Sequence, residues 1–451
     1  MTRNFQLTTD PIPRLIRDIS IPASIGFFFN TMFNVVDTYF AGVISTQALA
    51  ALSLSFPVFF IIISMGSGVS TGTTALIATA LGAGDTPQAK VFAVQGVSFG
   101  VILSAAITAI GILASPYLFS FMGAQGPYLA MCLAYMNTIF AGSVFFVLNY
   151  MLNAILYALG DTRSFRDFLI VGCLLNAVFD PWFISGGLGV PAMGVMGIAL
   201  ATVVIQLMGT IYLGYKVMRT ELACDLCFSE AVPRPQAFLE IARQGFPTSL
   251  NSITVGVGIF VITSFISVFG KEAVAAYGVA TRVEQIMLLP TIGLNIATVT
   301  IVAQNNGARR YERIFETVRT ALRYGAVFMA FGTVALLIFA GKLMGLFTTD
   351  AQVVAIGTFY LRISAFILYA YVVLYVNVAA LQGVKRPGYG LVIGVVRQIA
   401  LPLMIFPSFI HVLGLGIAGI WWGIFVITWS AAGITFFYAR AGLKRMLDAK
   451  A

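Results

Sequence analysis

The sequence predicts an all-α integral membrane protein of twelve transmembrane helices in two six-helix lobes, related by a pseudo-two-fold axis along the membrane normal, with a central cleft. Three observations predict it. Of 451 residues, 59% are apolar and only 10% are charged, with a mean hydropathy of +0.95. A soluble surface needs about 25% charged residues, so lipid must solvate much of this one. Twelve apolar stretches approach or exceed the ~20 residues of a bilayer-spanning helix. The chain also repeats itself at an offset of about 225 residues.

In chain order, the stretches of the first half centre on Phe28, Phe59, Leu103, Phe145, Leu174 and Val204. Those of the second half centre on Phe260, Leu294, Ala330, Ile367, Val395 and Phe425. The first span holds Pro22 and Asp37 and lacks the short apolar run and small-residue cut site of a cleavable signal, so Met1 onward is expected in the mature chain. The connections after every second span are 82–90, 160–167, 216–243, 305–323 and 383–387. With the two termini they carry most of the 26 Lys and Arg. The opposite loops, such as 115–127, 185–193 and 406–414, carry almost none. The positive-inside rule then places both termini in the cytoplasm of a multi-pass cell-membrane protein. The net charge of +9 is spread over these loops rather than gathered on one face, which argues against nucleic acid as a partner.

The repeat supplies the lobes. Pro22 corresponds to Pro247, Gln47-Ala-Leu-Ala-Ala51 to Glu272-Ala-Val-Ala-Ala276, and Leu81-Gly-Ala83 to Asn306-Gly-Ala308. Leu159-Gly-Asp-Thr-Arg163 aligns with Gln382-Gly-Val-Lys-Arg386, and Gly194-Val-Met-Gly-Ile198 with Gly416-Ile-Ala-Gly-Ile420. Matches in a conserved order with a nearly constant offset are hard to obtain by chance. An even number of spans per half gives the halves one orientation, hence residues 1–220 and 221–451 as lobes joined by the polar loop at 216–243. Two lobes about a cleft is the architecture of a transporter.

Of the 17 acidic residues, only Asp37, Asp180 and Glu284 fall within spans. A charge at mid-bilayer costs roughly 2.5–3.5 kcal/mol on insertion scales, which makes such residues functional candidates. Asn176 lies one turn before Asp180 on the same helix face, and Thr202 offers a hydroxyl. Two carboxylates, an amide oxygen and a hydroxyl suit a hard cation such as Na⁺. Two carboxylates that crowd one site equally suit proton carriage, so Asp37, Asn176, Asp180 and Thr202 fit either ion. Glu284 reads as structural, because Arg282 and Gln285 beside it near a helix end offer pairing and solvent. Pro22 removes the helical donor to the carbonyl of Asp18, and Pro181 does the same for Ala177, so span one is expected to bend at Pro22 when Asp37 changes protonation state. Across the repeat, Asp37 maps to about Thr263, Asn176 to about Ile399 and Asp180 to about Leu403. The second half thus kept the scaffold without these acids.

Other chemistry is missing. The single histidine, His411, excludes HExxH-type zinc catalysis, and no Walker A loop occurs, so an enzyme is not expected. Cys224 and Cys227 form C-D-L-C on the opposite side from His411, without the further ligands of a zinc site. They and Cys132 and Cys173 are expected to be plain thiols.

The chain resembles the multidrug and toxic compound extrusion (MATE) transporters over essentially all twelve spans. The resemblance is carried by Pro22 with Phe33-Asn-Val-Val-Asp-Thr-Tyr-Phe-Ala-Gly42, by Gly82-Ala-Gly84, by Ala158-Leu-Gly-Asp161 and by Asn176-Ala-Val-Phe-Asp180. It is similar to the DinF-like branch, whose ion site lies in the N-terminal lobe. That likeness implicates Asp37, Asn176, Asp180 and Thr202, with Tyr135 and Asn153 in the surrounding hydrogen-bond network. The NorM-like branch instead places acids in spans seven and ten, where Ser249–Gly258 and Tyr371–Asn377 contain none. The resemblance implies export of cationic or amphipathic drugs and dyes by antiport with H⁺ or Na⁺, with no cofactor, by a monomer in contact with membrane lipids. The competing reading is a flippase of the same superfamily for a lipid-linked glycan. That activity calls for several cations in the cleft, where only Arg282, Arg362 and Arg397 fall within or at the edge of spans.

Overall fold

A computed structural model describes residues 6–187, 189–223 and 228–448. Helix accounts for 88% of the fold, and the described residues contain no strand. The spans of the first half are α1 (Ile12–Ile44), α2 (Thr46–Gly82), α3 (Thr86–Phe121), α4 (Gly126–Ala141) with α5 (Ser143–Ala158), α6 (Arg163–Ser185) and α7 (Val195–Met218). Those of the second half are α8 (Pro235–Ser267), α9 (Lys271–Gly307), α10 (Tyr311–Gly345), α11 (Ala351–Ala365) with α12 (Leu368–Gly383), α13 (Gly388–Val412) and α14 (Ile417–Asp448).

Ten of these helices are long and apolar enough to cross a bilayer singly. The pairs α4/α5 and α11/α12 qualify together and bend by 43° and 51° at their junctions. A re-entrant segment must reverse its direction, whereas bends of this size only deflect it. Each pair therefore reads as one broken span, about 48 Å long at ~1.5 Å per residue. Twelve candidate spans result, as the hydropathy predicts.

Polar caps mark several helix starts. Ser45 Oγ accepts from Ala48 N at 3.0 Å, Asp85 Oδ1 from Gln88 N at 3.0 Å, and Asp350 Oδ1 from Gln352 N at 2.8 Å. The repeat is visible where helices stop. Gly84 (φ +78°) and Gly160 (φ +82°) are left-handed in the first half, as are Arg309 (φ +55°) and Lys385 (φ +62°) in the second, so the backbone sets Gly160 against Lys385, two residues on from Gly383, its partner in the sequence alignment.

The chain forms two compact units, one built from Ile25–Ser249 and the other from residues 6–24 and 250–448. Each unit thus takes in the head of the first helix of the opposite half. In the first unit, the head of α8 lies on α2. Ser249 Oγ donates to the carbonyl of Met65 at 3.2 Å, and a Cβ added at Gly72 would stand 2.6 Å from Gly245 N. In the second unit, the head of α1 lies on α9, where a Cβ at Gly293 would collide with the Ser20 carbonyl and Ser24 Oγ. Gly68 and Gly293, and likewise Ser24 and Ser249, are pairs related by the repeat, so the same glycine-permitted backbone approach is used twice. Pro22 and Pro247 stand just before the points where α1 and α8 pass from one unit to the other.

Helix α13 is locally widened. Pro402 has no N–H for the carbonyl of Gln398, and Leu401 N bonds instead to the Val396 carbonyl, giving a π-helical turn over Val396–Ala400. Cys132 and Cys173 are buried free thiols. Cys224 and Cys227 lie outside the described residues.

Candidate functional site

Three helices of the first unit bring the predicted ion-site residues together. Asp37 on α1 is 6% exposed, Asn176 and Asp180 on α6 are fully buried, and Thr202 on α7 is 3% exposed. The one-turn spacing on α6 lets a single amide serve both acids. Asn176 Nδ2 donates to Asp37 Oδ1 at 2.9 Å and to Asp180 Oδ1 at 3.1 Å. Both amide hydrogens are used in this way, and the bridge ties span one to span five. Two acceptor oxygens remain without a partner, Asp180 Oδ2 and Asn176 Oδ1. An orphaned buried acceptor costs about 1–3 kcal/mol, more where the group is charged. A proton or a small hard cation answers that need with the oxygen donors present.

Thr202 Oγ1 donates its own proton to the Ile198 carbonyl at 3.0 Å, which leaves its lone pairs for a ligand. With Asp37 it lines a cavity of about 50 Å³ that also meets Asn34, Asn149, Tyr150 and Gln206. One water needs roughly 10–15 Å³ by this measure, so the cavity admits a few waters or a partly hydrated ion. Tyr135 is 5% exposed and within electrostatic reach of both carboxylates. Asn153 is buried on α5 with its Oδ1 unpartnered, and it makes no hydrogen bond to the acid pair. Pro22 lies about 22 Å along α1 from Asp37 at ~1.5 Å per residue, so it acts on the site through the helix rather than by contact.

Glu284 differs from expectation. Solvent contact and pairing near a helix end do not describe it, since it is 6% exposed in the body of α9. Its carboxylate accepts from Tyr360 OH at 2.8 Å and from Ser364 Oγ at 2.6 Å, while Arg282 is exposed. Two hydroxyl donors reach it from a distant helix, which local sequence cannot reveal.

The cavity lining includes polar residues that the sequence reading passed over. Asn149 Nδ2 donates to the Gln206 carbonyl at 2.9 Å and to its Oε1 at 2.7 Å, and Asn149 Oδ1 is left unpartnered. A signal was available in span one: Asn30, Asn34 and Asp37 recur at helical spacing and put one polar stripe on an apolar helix.

Comparison with known proteins agrees with the repeat. The MatE family pattern matches residues 22–182 and again 247–406. A protein of Shewanella oneidensis named an FAD transporter is 30% identical over 406 residues, 90% of each chain. A Thermotoga maritima protein described as probable multidrug resistance protein NorM is 26% identical over 356 residues, 78% of this chain and 76% of that one. Among solved structures, a MOP superfamily transporter from Pyrococcus furiosus superposes with a TM-score of 0.92 at 27% identity over 99% of both chains; the reversed polarity of its binding pocket is described as suggesting a different function.

Proposed function

The chain belongs to the MATE family of membrane transporters, and from that premise we propose that it exports cationic or amphipathic small molecules by antiport with H⁺ or Na⁺. Asp37, Asn176, Asp180 and Thr202 form the coupling site, and Tyr135 and Asn153 support it. The observation that carries this reading is the amide of Asn176 shared between two buried carboxylates, beside two orphaned oxygens and a small cavity that Asp37 and Thr202 help to line. Coupling is assigned to the first repeat half, as in the DinF-like branch, because Ser249–Gly258 and Tyr371–Asn377 lack acids. Residues 1–220 and 221–451 are the two functional lobes, with both termini cytoplasmic.

In this reading the site alternates between a protonated or ion-bound state and an ion-free one. Ionised Asp37 holds span one to α6 through Asn176. Uptake of a proton cancels the charge and weakens that hold, so span one bends at Pro22, where α1 leaves the second unit. A membrane potential contributes about 2.3 kcal/mol per charge per 100 mV to reloading the site.

The test is dye efflux in inverted vesicles with Asp37→Asn, which keeps the shape and removes the titratable charge. Membrane insertion should be retained and coupled export lost. Normal export by the variant would overturn coupling through Asp37. The same vesicles separate the flippase alternative, since a lipid-linked glycan flippase should not move a cationic dye. A flavin dinucleotide belongs in the substrate panel because a 30%-identical relative is named for it.

A further inference from the structure

Arg397 is the unexplained charge of the second unit. It sits on the π-helical turn of α13, within a candidate membrane span, and is only 6% exposed. A guanidinium stays charged at every physiological pH. No carboxylate forms an ion pair with it among the described residues. The buried acid of the same unit, Glu284, is taken by Tyr360 and Ser364. Among the described residues the hydrogen bonding of Arg397 goes to the hydroxyls of Tyr371 and Tyr375, and the bond from Nη2 to Tyr375 OH is long at 3.4 Å. No carboxylate or backbone carbonyl accepts from it among the described residues.

The surroundings of Arg397 are aromatic. Its guanidinium carbon lies 5.5 Å from the ring centre of Tyr371 and 5.9 Å from that of Tyr375. Those rings lie one turn apart on α12, stacked with centroids 5.8 Å apart and planes inclined by 14°. Both tyrosines are only half-buried, and they flank a cation that no carboxylate contacts, Glu284 acting on it only through space. Ring faces offset part of the cost of burying the charge and supply none of the acceptors that five N–H groups require. The π turn matters here because it lets this position project out of register with an ordinary helix, a feature that recurs at functional sites.

We propose that Arg397, with Tyr371 and Tyr375, is a binding point for the acidic group of an aromatic ligand, a phosphate or carboxylate held by the guanidinium with the ring laid on the tyrosine pair. The proposal rests on the transporter reading for its purpose, and extends the substrate class from cations to aromatic acids. It concerns binding in the second unit and is independent of ion coupling at Asp37. The same anion chemistry is offered by a lipid headgroup, and the experiment distinguishes the two sources.

The test uses the full-length protein in phosphatidylcholine nanodiscs. The probes are 4-methylumbelliferyl phosphate and uncharged 4-methylumbelliferone, which share a ring and differ in the anion. The wild type should bind the phosphate at least about tenfold more tightly, since one charge-assisted contact is worth roughly that factor. Arg397→Gln should erase the preference, and Arg397→Lys should keep only part of it. Tyr375→Leu, which leaves the charge in place, should weaken the aromatic phosphate more than inorganic phosphate. Asp37→Asn should bind both probes as the wild type does while failing in efflux, so the failure of either idea is visible separately. If anionic phosphatidylglycerol discs weaken probe binding to the wild type and not to Arg397→Gln, a lipid headgroup is the competing occupant of the same anion site. If they do not, the soluble aromatic acid is the ligand. No phosphate preference in the wild type, or a preference that survives Arg397→Gln, overturns the proposal.

Discussion

Asn176 shows how much depends on one amide at the bottom of the site. Its two N–H groups hold carboxylates of different helices, at 2.9 and 3.1 Å, and each bond to a charged acceptor contributes about 1.5–3 kcal/mol. Asn176→Leu keeps the approximate volume and removes both donors, so two buried acids face each other unbridged. Transport should fall to background, and thermal stability should drop by an amount matching at least one lost bond, about 2 kcal/mol. The check is efflux together with a fluorescence melting curve; a variant that transports normally sinks the bridge as a functional element. Asp37, Asn176 and Asp180 were legible because acids in apolar spans stand out and because the spacing on α6 is local. Asn149 and Gln206 were not, since each is an ordinary amide until α5 and α7 pack together. The surroundings expected for Glu284, though not its structural role, were misread for the same reason: Tyr360 and Ser364 lie far along the chain.

At the level of helices, hydropathy located every span centre, because burial in lipid depends on composition over a window. It could not show that α4/α5 and α11/α12 are bent, since apolar composition is blind to direction. The glycines that set close crossings were visible only as common membrane residues until their neighbours were known. Gly293 is the clearest of them, with the Ser20 carbonyl against the place a side chain would occupy. Gly293→Leu should force α1 off α9 and cost about 1–3 kcal/mol or prevent folding, while Gly293→Ala should be milder. Yield and monodispersity after detergent extraction measure this; a fully stable leucine variant would contradict the close crossing. Pro22 makes a different prediction from its place beside the point where α1 changes units. Pro22→Ala supplies a backbone donor and stiffens the helix by the ~3 kcal/mol that a mid-helix proline costs. The variant should be at least as stable as the parent and transport poorly, with spin-label distances along α1 insensitive to pH between about 6 and about 8. Undiminished transport with a rigid α1 would remove the bend from the mechanism and leave the ion site in place.

For the whole molecule, the repeat foretold two halves, and the packing shows how they are completed. The first unit runs to Ser249 and so needs the head of α8, while the second begins with residues 6–24 and so needs the head of α1. Neither half of the sequence therefore closes a unit alone. The connector adds to this dependence, because buried Gln95 on α3 donates to the carbonyls of Glu230 and Val232 at 2.7 and 2.9 Å and accepts from Arg234 N at 2.8 Å. A chain cut between Thr220 and Glu221 retains all of these contacts in trans. Each fragment expressed alone leaves a face built for close backbone approach, Gly68 and Gly72 in one and Gly293 in the other, open without its partner helix. In a membrane such a face gains its stability from van der Waals contact with one specific helix, and lipid is a poor substitute. Co-expressed fragments 1–220 and 221–451 should co-purify through a tag on either one and recover part of the efflux. Either fragment alone should be degraded or aggregate. A first fragment that is monodisperse and thermally stable on its own would show that the head of α8 is dispensable to the unit it enters.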